Sequence, residues 1–264
     1  MPDDPLLIYG LLCAAAIAGG AVNSLAGGGT LLTFSSLVLV LGGSPEAAVV
    51  ANATSTVALL PGSLAGGWAY RRELSGSRLW LTVLIWPSFA GAYLGTLLLV
   101  RLDPAIFKAA VPWLVLGAAT LLAVQPYLSA KAAESAAKPG GPTAAGWVGA
   151  VVFQFLVAVY GGYFGAGIGI MMLAALGVLG HTDIHRMNAL KTLLAAAINA
   201  VTAAILIAEG KVLWPYAGAM AVSAILGGYT AAGVARRLDR NLVRRGVVAI
   251  GFGLAGWYFW RQFG

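Results

Sequence analysis

Three groups of residues in this 264-residue chain have the types and spacing to hold a small anion. The first is a pair of glycine-rich interruptions of apolar runs, Asn23-Ser24-Leu25-Ala26-Gly27-Gly28-Gly29-Thr30 and Tyr160-Gly161-Gly162-Tyr163-Phe164-Gly165-Ala166-Gly167. A helix that restarts after such a break presents N–H groups without acceptors, backed by the positive end of the helix dipole, and both favour negative charge. Close packing of helices through small residues is the competing reading, but three consecutive glycines exceed what packing alone asks. The second group is Asn52-Ala53-Thr54-Ser55-Thr56 and Asn188-Ala189-Leu190-Lys191-Thr192. Residues four apart share a helix face, so Asn52 with Thr56 and Asn188 with Thr192 each offer an amide and a hydroxyl. These groups bond substrate oxygens or join neighbouring helices. The third is Lys191, the only Lys or Arg well inside an apolar run. A charge at the bilayer centre costs at least about 2.5–3.5 kcal/mol, so it either neutralises an anion or snorkels to the surface. The candidate substrate-binding set is therefore Gly27, Gly28, Gly29, Thr30, Asn52, Thr54, Ser55, Thr56, Gly165, Gly167, Asn188, Lys191 and Thr192.

The elements that must position these residues are membrane helices. Hydrophobic residues make up 60% of the chain and charged residues 9%, with a mean hydropathy of +0.87. A soluble domain carries about 25% charge, so a water-soluble globule is excluded, as is disorder. The apolar runs are Leu6–Val22, Thr30–Leu41, Glu46–Tyr70, Leu79–Val100 and Pro104–Val124, then Ala144–Tyr160, Ile168–Leu179, Asp183–Glu209, Val212–Arg236 and Asn241–Trp260. A polar stretch from Gln125 to Pro142 separates two groups of five. The expected organisation is a first transmembrane repeat over 1–125, a linker over 126–142 and a second repeat over 143–264. The acidic start, Asp3-Asp4, lacks the basic region of a cleaved signal, so the first run is expected to stay as a membrane segment. Cys13 permits no internal disulfide. The net charge of +7 sits in short loops, where it sets topology, and no nucleic-acid partner is expected.

The halves match at an offset of about 136 residues. Asn52-Ala53 and Thr56 meet Asn188-Ala189 and Thr192; Gly91 and Tyr93 meet Gly227 and Tyr229; Arg101-Leu102-Asp103 meets Arg237-Leu238-Asp239; and, with a small gap, Gly27-Gly28-Gly29 meets Gly165-Ala166-Gly167. An odd number of crossings per half puts equivalent loops on opposite faces, and the basic residues swap loops accordingly. With five passes per half and both ends outside, eleven basic residues fall inside (Arg71, Arg72, Arg78, Lys131, Lys138, Arg186, Arg236, Arg237, Arg240, Arg244, Arg245) and four outside (Arg101, Lys108, Lys211, Arg261). The fold class is thus an all-α integral membrane protein of two inverted repeats, about five hydrophobic segments each, with helices broken at the Gly-rich motifs. Thr30–Leu41 and its mate, at about 18 Å for twelve residues, fall short of the roughly 30 Å hydrocarbon core and read as re-entrant or half-spanning.

Every carboxylate lies in a loop or at the end of a run, which argues against a cation pump or a di-metal enzyme. His181 and His185 are the neutral-pH titrating side chains, and an interfacial structural role suits them. No nucleotide-binding GxxxxGK[ST] signature occurs, and no cofactor or metal is called for.

The Gly-rich break, the Asn-Ala-Thr-Ser-Thr segment, its second copy and the two-half layout resemble the TauE/SafE family of sulfite and organosulfonate exporters over essentially the whole chain. That resemblance implies a multi-pass protein of the bacterial or archaeal inner (plasma) membrane that moves small sulfur-containing anions such as sulfite or sulfoacetate. By it, Gly27 to Thr30 and Asn52 to Thr56 match the first-half motif, and Gly165 to Gly167 with Asn188 to Thr192 match the second. The second copy has Leu190 and Lys191 where the first has Thr54 and Ser55, so one half supplies hydroxyls and the other charge. The expected function is secondary transport by alternating access around a midplane anion site. An anion channel or facilitator is the alternative, followed by a membrane-embedded enzyme or assembly factor. The expected partners are a small anionic substrate and the lipid bilayer, with room for a homodimer.

Overall fold

The computed structural model describes residues 4–25, 28–69, 77–136, 144–178, 184–234 and 240–263. All regular structure among them is helical: α1 (Pro5–Leu25), α2 (Thr30–Leu41), α3 (Pro45–Ala69), α4 (Arg78–Arg101), α5 (Pro104–Ala136), α6 (Ala144–Tyr163), α7 (Ile168–Val178), α8 (Ile184–Ala208), α9 (Trp214–Val234) and α10 (Arg240–Phe263). Six stretches within the described helices are long and apolar enough to cross a bilayer: Pro5–Asn23, Pro45–Ala65, Arg78–Arg101, Pro104–Leu128, Ala144–Tyr163 and Ala189–Ala208. Large apolar side chains such as Trp86, Val148, Leu156 and Trp260 point outward, as a surface solvated by acyl chains requires. The protein is an all-α multi-pass membrane protein.

The helices follow the apolar runs closely, and α2 has the bounds read from the sequence, with two corrections elsewhere. First, α5 does not stop at Val124 but continues through Pro126 to Ala136, so much of the expected solvated linker is helical. Polarity ends a lipid-facing run, not a helix, and the Ala-, Lys- and Glu-rich tail of α5 is made of strong helix formers. Second, α6 runs through Gly161 and Gly162 to Tyr163. These two glycines belong to packing, since a Cβ on Gly162 would run into the Ala92 carbonyl oxygen of α4. The break itself is confined to residues 164–167.

Helix pairing joins one half to the other. The most extensive contacts are α4 with α6 and α1 with α9; next come α5 with α10, α3 with α8, α3 with α9 and α4 with α8. Numbering each half one to five, exchange of the halves maps these pairs onto one another. The exchange is incomplete, because α5 packs on α7 while α10 has no comparable contact with α2 among the described residues. Where α1 meets α9 and α4 meets α6, backbone lies on backbone. A Cβ on Gly227 would run into the Ile17 carbonyl, and one on Gly91 into the Phe155 carbonyl, 2.5 Å away. Gly91 and Gly227 are the pair that the repeat aligns. Such contacts suit helices in lipid, where association rests on van der Waals packing and interhelical hydrogen bonds. Examples of the latter are Gln154 Nε2 donating to Ser88 Oγ at 2.8 Å and Thr96 Oγ1 at 3.2 Å from Thr202 Oγ1.

Candidate functional site

Each break holds, within two residues of the next helix, a glycine that no other residue replaces freely. Gly28 has φ +100° and Gly167 φ +83°, the left-handed region that costs a side-chain-bearing residue about 1–3 kcal/mol. The carbonyl of Gly28 accepts from Leu31 N at 3.0 Å, closing the first turn of α2, and that of Gly167 accepts from Ile170 N at 3.0 Å, closing the first turn of α7. The geometric mate of Gly28 is thus Gly167, one position beyond the match the glycine runs suggest. Alignment counts residue types, whereas the turn selects the residue that must hold positive φ. Gly165 shares this conformation at φ +83°. The N–H groups of Gly29 and Thr30, and of Ile168 and Gly169, have no acceptor among the described residues.

The two helix N-termini both lie against α5. A Cβ on Gly28 would sit 3.6 Å from Leu122 Cδ1, and one on Gly167 would sit 3.6 Å from Leu121 Cδ1 and 3.8 Å from Ala118 Cα. Both breaks therefore flank the same turn of α5. Val22, Leu122, Ile170 and Val247 form the cluster around that turn. Phe34, Phe107 and Phe164 fix the region by edge-to-face contact, with Phe34 and Phe164 centroids 5.3 Å apart. The Tyr160 hydroxyl donates to the Ala166 carbonyl at 2.8 Å and braces the second break.

Asn52 is buried, and its Nδ2 donates to the Tyr163 carbonyl at 3.1 Å, so α3 of the first half holds the last residue before the second break. Its Oδ1 is buried and has no partner among the described residues. The neighbouring hydroxyls are occupied. Thr54 Oγ1 accepts from Leu213 N at 3.1 Å, Ser55 Oγ lies 2.6 Å from Thr33 Oγ1, and Thr56 Oγ1 donates back to the Asn52 carbonyl at 2.8 Å. Thr54→Val would strand the Leu213 N–H, and an unsatisfied buried donor costs about 1–3 kcal/mol. The melting temperature in detergent should fall accordingly, and an unchanged value would free this hydroxyl for substrate.

Lys191 is partly buried on α8, and its aliphatic stem crosses the first turn of α7. A Cβ on Gly169 would lie 3.2 Å from Lys191 Cδ and 3.6 Å from Cε. Its ammonium has no hydrogen-bond or ion-pair partner among the described residues. Thr192 is engaged in an interaction of its own. Gly27, His181 and the side chains of His185 and Asn188 lie outside the described residues.

Sequence reading did not single out Thr33, Gly169, the Tyr163 carbonyl or the Ala118–Leu122 turn of α5. Thr33 had a signal, since Thr33, Ser35 and Ser36 are hydroxyls crowded into one short apolar run. Gly117-Ala118-Ala119 marked where α5 admits close neighbours. Nothing in the sequence marks a backbone carbonyl.

The profile of the sulfite exporter TauE/SafE family matches residues 11–258. A probable membrane transporter protein of Haemophilus influenzae is 28% identical over 249 residues, covering 92% of this chain and 90% of that protein. No solved structure matches. With two glycine breaks set against one turn of α5 and a profile match over almost its whole length, the chain belongs to the sulfite exporter TauE/SafE family of membrane transporters.

Proposed function

We propose that the protein is a secondary transporter of small sulfur-containing anions, sulfite or an organosulfonate, in the plasma membrane, working by alternating access. One observation carries the reading: the Lys191 stem lies across the first turn of α7 and its charge has no partner among the described residues. A cation beside a helix N-terminus has the wrong sign for the dipole. An anion between them satisfies the lysine, the dipole and the N–H groups that have no acceptor among the described residues. In this reading the anion is held by the N–H groups that follow Gly28 and Gly167, by the Asn52 amide and by Lys191. Gly29, Thr30, Gly165 and Thr192 shape the two ends, Gly27 and Asn188 join this proposed set by their motifs alone, and Thr54, Ser55 and Thr56 brace the helix that carries Asn52.

The exchange of contacts between halves supports a two-fold arrangement. With five passes per half, the axis lies in the membrane plane and the repeats are inverted, as in transporters built around broken helices. Rocking of one bundle against the other would then expose the site to each side in turn. Proteoliposomes loaded with unlabelled sulfite or sulfoacetate should take up the labelled anion by saturable exchange. Flux that neither saturates nor exchanges makes the protein a channel, and the absence of anion flux removes the transport reading in favour of an enzyme or assembly factor.

A further inference from the structure

Away from the two breaks, the end of α2, the first turns of α3 and α5 and the last turns of α10 line a half-open cavity of about 390 Å³. Two cations line it, Lys108 on α5 and Arg261 on α10, and neither forms an ion pair among the described residues. The carboxylates nearest in sequence to its walls, Glu46 and Asp103, are not among the lining residues. The Arg261 guanidinium is held 5.2 Å from the Trp257 ring centroid, and Gly43 leaves room beside it, since a Cβ there would stand 3.6 Å from Nη1. Tyr258 also lines the cavity and is 8% exposed. Its hydroxyl lies within reach of that of Ser35, yet neither oxygen completes a hydrogen bond of normal geometry. Ser44 caps α3, accepting from Ala47 N at 3.1 Å, so the positive end of that helix faces the same space.

We infer that this cavity is a second anion site, taking a sulfate- or sulfonate-sized oxyanion between Lys108 and Arg261, with Tyr258 as part of its wall. Liquid water occupies about 30 Å³ per molecule, so the volume admits such an ion with part of its hydration shell. The placement argues for purpose. On the proposed topology this end of the molecule is the outer face, where the positive-inside rule removes basic residues, yet two of its four cations meet in one cavity. As an antechamber to the central site it rests on the transport reading; as an anion site it stands without it.

Trp257 makes the test local. Sulfate and methanesulfonate are titrated into the detergent-purified protein at constant ionic strength with chloride, and the Trp257 emission is taken as the difference between the wild type and Trp257→Phe. A saturable change is expected. Lys108→Gln with Arg261→Gln should raise its half-saturation at least tenfold, and the exposed single change Lys108→Gln, which leaves packing intact, at least threefold. Lys191→Ala should leave it unmoved. A response that does not saturate, or that survives both glutamine changes, overturns the site. Liposome exchange keeps the two ideas apart. Exchange without a Trp257 response discards the cavity alone, and a Trp257 response without exchange discards the transport reading alone.

Discussion

Gly28→Val is expected to abolish anion exchange, by more than a hundredfold, in a protein that still purifies as a monodisperse peak. Space is not the obstacle, because a Cβ at this position meets only Leu122, at 3.6 and 3.9 Å. The backbone is. At φ +100° a β-branched residue is a genuine outlier, and the strain of about 1–3 kcal/mol is relieved by rotating to negative φ. That rotation pulls the Gly28 carbonyl off Leu31 N and re-aims the N–H groups of Gly29 and Thr30. Misplacement by about 1 Å in a positioned site costs on the order of a hundredfold. Gly29 provides the contrast. Its φ of −55° is ordinary, but a Cβ there would run into the Gly19 carbonyl of α1, so Gly29→Ala should cost folded protein instead. Full exchange by Gly28→Val would remove the first break from the site.

Lys191→Ala should weaken anion affinity more than tenfold, about 1.4 kcal/mol, while the melting temperature without ligand holds or rises. The opposite signs are the point. A charge with no partner among the described residues is costly inside an apolar span, about 2.5–3.5 kcal/mol or more at the bilayer centre and less toward the span's end, where Lys191 lies, so its removal relieves the empty protein as it disables the loaded one. Lys191→Met keeps the stem on Gly169 and isolates the charge, and it should lose as much affinity as alanine. Unchanged affinity in both variants returns Lys191 to a snorkelling role. A fall in melting temperature in alanine but not methionine would assign the residue to packing.

The architecture was legible because lipid imposes one rule, that apolar runs long enough to span be helical. Ten runs became ten described helices, and Thr30–Leu41 was placed to the residue. The helical state of the α5 tail was not legible from the apolar runs, because hydropathy sees solvent, not helix propensity. Glycine was the harder letter. Gly162 and Gly167 look alike in the sequence, yet one lets α6 lie against the Ala92 carbonyl and the other holds positive φ at the start of α7. Tertiary contact decides between these uses. Similarly, spacing placed Asn52 and Thr56 on one face, but only the fold reveals that Thr54 is engaged by Leu213 and that Asn52 reaches across to the other half.

The pairing of α1 with α9 also bears on how the chain is made. Gly20 on α1 receives the Ala224 carbonyl so closely that a Cβ would overlap it, yet Ala224 is synthesised about 200 residues later, some 10–40 s at roughly 5–20 residues per second. The partner of α4, by contrast, follows directly after α5. During synthesis α1 would therefore wait in the bilayer with acyl chains in its groove until α9 displaced them on docking. The α4–α6 seam closes at the middle of translation and the α1–α9 seam closes near the end, so a ribosome stalled before α9 leaves a protein with one wall missing.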